Sequence, residues 1–148
     1  NAVSTSVMGE GTAEAKTDAH LKFSERVHDN VTFHPPTYFQ KWKGKDFFLT
    51  IIEAVGDVFG SSFTYGRQWV SPDGRDWALE FHAKIGDSKM FINGIDLVKL
   101  DENGQIIEFM VLARPPNGVA ELKKEMMKRA GPKLAMLKAK ELKKSIFG

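Results

Sequence analysis

The chain of 148 residues contains no cysteine. Disulfides, thiol nucleophiles and cysteine-held metals are therefore excluded, and the composition suits a reducing, cytoplasmic setting. No apolar run approaches the length of a membrane span. The first residues, 1–16, are small and polar and lack a basic start followed by an apolar stretch. They do not read as an intact signal peptide, and the expectation there is irregular chain. No phosphate-cradling glycine loop and no nucleophilic serine motif occur. His20 and His82 stand at no metal-ligand spacing with each other or with nearby carboxylates, so no metal site is expected, and no cofactor is expected either.

What remains is an ordinary globular composition, 42% hydrophobic and 27% charged, enough for one domain with a core. Charge is uneven. From Glu121 onward nine Lys/Arg face three Glu, while the rest of the chain holds twelve basic and sixteen acidic residues. The body is mildly acidic and the tail basic.

Periodicity supplies the elements. Leu21, Phe23 and Val27 suggest a short helix over 18–27. Phe47, Phe48, Ile51, Ile52, Val55 and Phe59 recur at helical spacing and predict a helix over 45–59, closed by Gly60-Ser61-Ser62. The period then changes to two. Strands are expected over 63–70, 77–85, 90–100 and 105–113, divided by Ser71-Pro-Asp-Gly, Gly86-Asp-Ser and Asp101-Glu-Asn-Gly. Beyond Asn117 an apolar stripe of Val119, Leu122, Met126 and Met127 predicts a helix, which Gly131-Pro132 is expected to break. A basic helical tail over 131–148 follows. Helices followed by antiparallel strands argue for an α+β fold, a curved sheet with helices packed on one face, and such a sheet encloses a hollow.

Asp96 stands inside the strand Gly94-Ile-Asp-Leu-Val-Lys-Leu, with apolar residues around it. A carboxylate there costs free energy unless it is paired, hydrogen-bonded or protonated. It is a structural anchor or part of a site. Gly94, two residues earlier, marks a sheet bend or leaves room for a ligand. Tyr38, Phe39 and Trp42 follow Pro35-Pro36 and form either a pocket lid or a loop anchor. Tyr65 and Arg67 share a strand face whose direction the sequence leaves open.

From Val27 to Met127 the chain resembles the nuclear transport factor 2-like superfamily, in particular its SnoaL-like members. The resemblance rests on Asp29-Asn-Val-Thr-Phe-His-Pro-Pro, Gly44-Lys45, Leu79-Glu-Phe, Gly94 through Phe109, and Arg114-Pro115. It implies a cone-shaped α+β domain over 17–130, with a pocket between sheet and helices that takes a small apolar ligand. The wall would come from Phe48 and Ile52 on the helix, Phe81, Ile92, Val98, Phe109 and Val111 on the strands, and Tyr38, Phe39 and Tyr65 near the mouth.

Comparison with ketosteroid isomerase, a worked case of carboxyl tuning, is similar in the strand-hairpin-strand around Asp96. The match implies that Asp96 corresponds to a protonated acid and that His34, before Pro35, stands where a base would. A His34–Asp96 pair would suit proton transfer beside a carbonyl, as in an isomerase, dehydratase or cyclase. The other readings are a pocket that binds without chemistry and a pair that is only structural. The match also turns Phe91, Asn93, Ile95, Leu97, Met110, Leu112 and Arg114 outward, an apolar face that implies a homodimer through the outer sheet. The basic tail reads as a solvated helix packed on its own domain or on the dimer partner. Neither nucleic acid nor membrane is expected as a partner.

Overall fold

The computed structural model describes residues 13–147. The elements run α1 (Ala13–Glu25), β1 (Val27–His34), β2 (Trp42–Lys43), α2 (Lys45–Phe59), a 3₁₀ turn (Gly60–Ser62), β3 (Thr64–Val70), β4 (Asp76–Lys84), β5 (Phe91–Leu100), β6 (Ile106–Arg114) and α3 (Pro116–Phe147). Most of the segment expected to be irregular at the N-terminus lies outside the described residues, and α1 begins at Ala13.

The six strands form one curved, open sheet in the order β2-β1-β6-β5-β4-β3. The β1–β6 pair is parallel and the other neighbours are antiparallel. In β5 the alternation is strict: Ile92, Gly94, Asp96 and Val98 are buried, and Phe91, Leu97 and Lys99 are exposed. A strand with one wet face must sort its side chains this way. Ser71–Gly74 and Asp101–Gly104 turn the chain as the sequence predicts. In the second turn the Asp101 carboxylate accepts from the Asn103 and Gln105 amides at 2.8 and 2.9 Å. Only Gly104 there takes a positive φ, 79°, so the turn rests on the aspartate and one glycine and not on an Asn-Gly pair.

α2 covers the concave face of the sheet. Its Phe48 is fully buried, with ring centroids 6.2 Å from Phe23, 5.5 Å from Phe33 and 5.3 Å from Phe109. That cluster ties both flanking helices to the parallel β1–β6 pair. α3 packs beside α2 through Leu122, Met126, Ala130 and Leu134.

Two expectations are corrected here. α3 runs unbroken through Gly131-Pro132 as one 32-residue helix. Proline removes one helical hydrogen bond, but Ala130 and Leu134 are both buried, and their packing holds the turn between them. Met127 does not belong to the buried stripe; it is exposed, and Ala130 takes that place.

Candidate functional site

A cavity opens between the concave sheet face, α2 and α3. Its wall comes from Phe33 of β1, Pro35 to Thr37 of the following loop, Ile51, Ile52, Val55 and Phe59 of α2, and Phe63. Phe81, Asp96, Phe109 and Val111 of the sheet and Leu122 and Met126 of α3 complete it. Free space between these side chains, mouth included, is about 520 Å³, but the centre of a water-sized sphere has only about 40 Å³ to move in. The hollow is narrow. It suits a slender or flat molecule and must widen for a bulky one.

Asp96 is the one titratable group lining this wall among the described residues. β5 delivers it there because Ile92, Gly94 and Val98 share its face. Leu79 and Val111 are its neighbours across the two adjacent strands. Only 5% of the residue is exposed. Loss of water pushes its carboxyl up to about 7, and the hydrogen bond from Tyr65 pulls in the opposite direction. The Tyr65 hydroxyl donates to Asp96 Oδ2 at 3.4 Å, a long contact. Near neutral pH the carboxyl is therefore divided between its neutral and ionised forms. It donates a hydrogen bond in one form and accepts a proton in the other.

The open face of β3 is resolved by a break in register. Between Tyr65 and Gln68 the pairing with β4 shifts. Tyr65 packs inward against Phe63, ring centroids 4.7 Å apart, while Arg67 turns to the outer face. There Arg67 Nη2 donates to Glu80 Oε2 at 2.6 Å. The two residues do not share a face, and the bulge is the reason.

His34 does not meet Asp96. Val31 and Phe33 are buried in the core, and alternation turns His34 to the opposite side of the sheet. Its imidazole Nε2 stands 3.6 Å from Glu108 Oε1, and it takes no part in the cavity wall. The expected pair across one hollow is corrected on this geometry. The signal is present in the sequence: apolar Val31 and Phe33 assign the inward face of β1.

Of the other expected wall residues, Ile52, Phe81, Phe109 and Val111 line the cavity. Phe48, Ile92 and Val98 are buried behind these residues and do not line the cavity, and Tyr65, also expected in the wall, touches Asp96 without lining it. Phe39 is fully exposed and half-exposed Tyr38 lies under Lys123, whose Nζ is 4.2 Å from the ring centroid. Trp42 is held between Phe47, centroids 5.3 Å apart, and Lys138, 4.5 Å from the ring. Tyr38 and Trp42 thus strap the loop to α3, and the prolines before them supply the wall. Leu122 and Met126 carry the expected helical spacing, but sequence alone assigns them to packing. Gly94 faces Phe81 and Ala113; a Cβ there would meet the Leu112 carbonyl, the Ala113 Cα and the Phe81 ring. It permits close strand approach and is not an opening for ligand.

Neither a family model nor a curated protein matches the chain. Solved structures do. An uncharacterised bacterial protein with a cystatin-like fold from Silicibacter pomeroyi is 36% identical, covering 82% of this chain and 83% of its own, with TM-score 0.73. A steroid delta-isomerase from Pseudomonas aeruginosa is 33% identical, covering 78% of this chain and 82% of its own, with TM-score 0.71. An NTF2-like protein of unknown function from an Exiguobacterium species shares the fold at 18% identity and TM-score 0.53, covering 66% of this chain and 85% of its own. With identities above 30% over four-fifths of the relatives' length, and the same cone of sheet and helices, the chain belongs to the nuclear transport factor 2-like, SnoaL-like superfamily.

Proposed function

We propose that this protein binds a slender, mainly apolar small molecule carrying one carbonyl group, and that Asp96 in its neutral form donates a hydrogen bond to that oxygen. The observation that carries the reading is the single carboxyl, held near neutrality, in a wall otherwise almost wholly apolar. One polar group fixes orientation and the apolar wall supplies affinity. Tyr65 completes the arrangement. It does not line the cavity itself; its hydroxyl contacts Asp96 Oδ2 and orients the carboxyl.

A second reading adds chemistry, and the relationship to a steroid delta-isomerase favours it. With Asp96 ionised, its oxygen removes a proton from the carbon beside the carbonyl. The negative charge moves to the carbonyl oxygen, and Asp96 returns the proton to the same or a conjugated carbon. Nothing is consumed and no cofactor is required. One carboxyl serves as both base and acid, because His34 lies across the sheet. We further propose that two copies pair through the outer sheet. Phe91 is 68% exposed and Leu112 54%, with Trp69 and Leu97 on the same open face.

The test is binding of 2-acetylnaphthalene, a flat apolar ketone, followed by ligand-observed NMR from pH 5 to pH 9. Affinity is expected to be high below pH 7 and to fall above it, and Asp96→Leu should abolish the pH dependence. Affinity that is flat across this range in the unaltered protein would refute the role of Asp96. Turnover of an unsaturated ketone, monitored by absorbance and lost in Asp96→Asn, would add the second reading.

A further inference from the structure

We infer that the C-terminal half of α3 is a docking surface for an anionic lipid bilayer. The basic, leucine-bearing pattern of this segment suggests packing on the body. Instead, every residue from Lys138 to Phe147 is exposed. Leu134 is the last buried residue of the helix, and Leu137 the last apolar one to touch the core. Lys138 still lies 4.5 Å from the Trp42 ring, but the nine helical residues from Ala139 to Phe147 bury no side chain, and a helix that short is marginal in water by itself.

Successive residues of a helix turn by ~100°. Ala135, Ala139, Leu142 and Ile146 therefore fall within an arc of ~60°, with Met136 and Phe147 extending it on one side. That arc is centred ~140° away from the packed side marked by Leu134 and Leu137. α3 thus carries two apolar stripes. One is buried against α2 and the sheet, and the other faces solvent. Met136, Leu142, Ile146 and Phe147 on the second stripe are each half-exposed or more. Lys138 and Lys143 border it on opposite sides, and Lys133, Lys140 and Lys144 lie beyond Phe147. Between 133 and 147 there are five lysines and one acid, Glu141.

The charge pattern selects the occupant. Lysines flanking an apolar stripe fit a bilayer of anionic lipids, where stems cover the acyl boundary and ammonium groups reach phosphates. A second copy pairing stripe to stripe would bring the flanking lysines of both chains together. A nucleic acid would take the lysines and leave Leu142 and Ile146 wet. No helix among the described residues is long and apolar enough to cross a membrane, so the contact is at the surface.

The experiment is co-sedimentation of the full chain with vesicles of phosphatidylcholine alone and of phosphatidylcholine with roughly 30% phosphatidylglycerol. Binding to the anionic vesicles is expected to exceed binding to the neutral ones about tenfold and to weaken with salt. The double variant Leu142→Glu/Ile146→Glu should lose it, with circular dichroism confirming an intact fold. The triple variant Lys140→Gln/Lys143→Gln/Lys144→Gln should lose the preference for anionic lipid. The inference is overturned by absence of binding to anionic vesicles, or by unchanged binding of the double variant. It is also overturned if duplex DNA competes the vesicles away and still binds the double variant, or if sedimentation equilibrium shows a dimer that the double variant alone dissolves.

Discussion

Replacing Asp96 with asparagine isolates what burial does to this carboxyl. In the folded chain its pKa is raised from an ordinary 3.8 to about 7, chiefly by loss of water. The sign follows from linkage. Below pH 3.8 both folded and unfolded chains carry the proton, and the group costs nothing. As pH rises from there, the unfolded chain releases its proton while the folded chain retains it, so folding stability falls. The loss grows until pH passes about 7, where the folded carboxyl also ionises, and stays constant above that. At about 1.4 kcal/mol per unit the shift corresponds to about 4 kcal/mol, an upper value because the site relaxes around a charge. Asparagine has nearly the same shape, keeps an oxygen for Tyr65 and does not titrate. Urea unfolding of both proteins from pH 4 to pH 9 reads the difference. The variant should match the unaltered protein within about 1 kcal/mol at pH 4 and be more stable by up to about 4 kcal/mol at pH 8. A difference that is independent of pH, or that favours aspartate as pH rises, would refute the burial argument.

Three further substitutions test the frame around the site. Gly94→Ala should destabilise by about 3 kcal/mol or more, because the new methyl meets the Leu112 backbone and the Phe81 ring; thermal unfolding within a degree or two of the unaltered protein would contradict this. Phe48→Ala, in contact with three other aromatic rings, should cost about 3–5 kcal/mol in urea, and a cost below about 1 would mean that the cluster is not the core. Pro132→Ala restores a helical amide inside α3 and should raise stability by about 1–3 kcal/mol, with ellipticity at 222 nm unchanged or deeper; a lower melting temperature would show that the proline is needed where it stands.

Much of this architecture is written in hydrophobic period. Phe47 to Phe59 predict α2 at its observed bounds, and the shift to a two-residue period after Gly60 marks the sheet. Apolar residues on either side mark Asp96 as sheltered, but both faces of β5 carry apolar side chains, and it is the family resemblance that assigns Asp96 to the inward face. The failures have physical causes. His34 enters the site only by correspondence with a related arrangement, although Val31 and Phe33 beside it claim the inward face. Tyr65 and Arg67 look alike in direction by counting, but an extra residue in β3 separates them, and a bulge leaves no apolar pattern to read. The proline in α3 reads as a stop because its local cost is visible, while the burial of Ala130 and Leu134 that outweighs it is not. The cavity wall from Pro35 to Thr37 is not legible either, since prolines signal a turn and not a surface.

The proposed role of the site needs a carboxyl that keeps its proton near neutrality inside an apolar hollow. Carbon-detected NMR of the side-chain carboxyls, with Asp96→Asn to assign the resonance, measures this directly. The Asp96 signal should titrate near pH 7 and move to higher pH when 2-acetylnaphthalene is added. A midpoint near 4, unmoved by the ketone, would contradict that role.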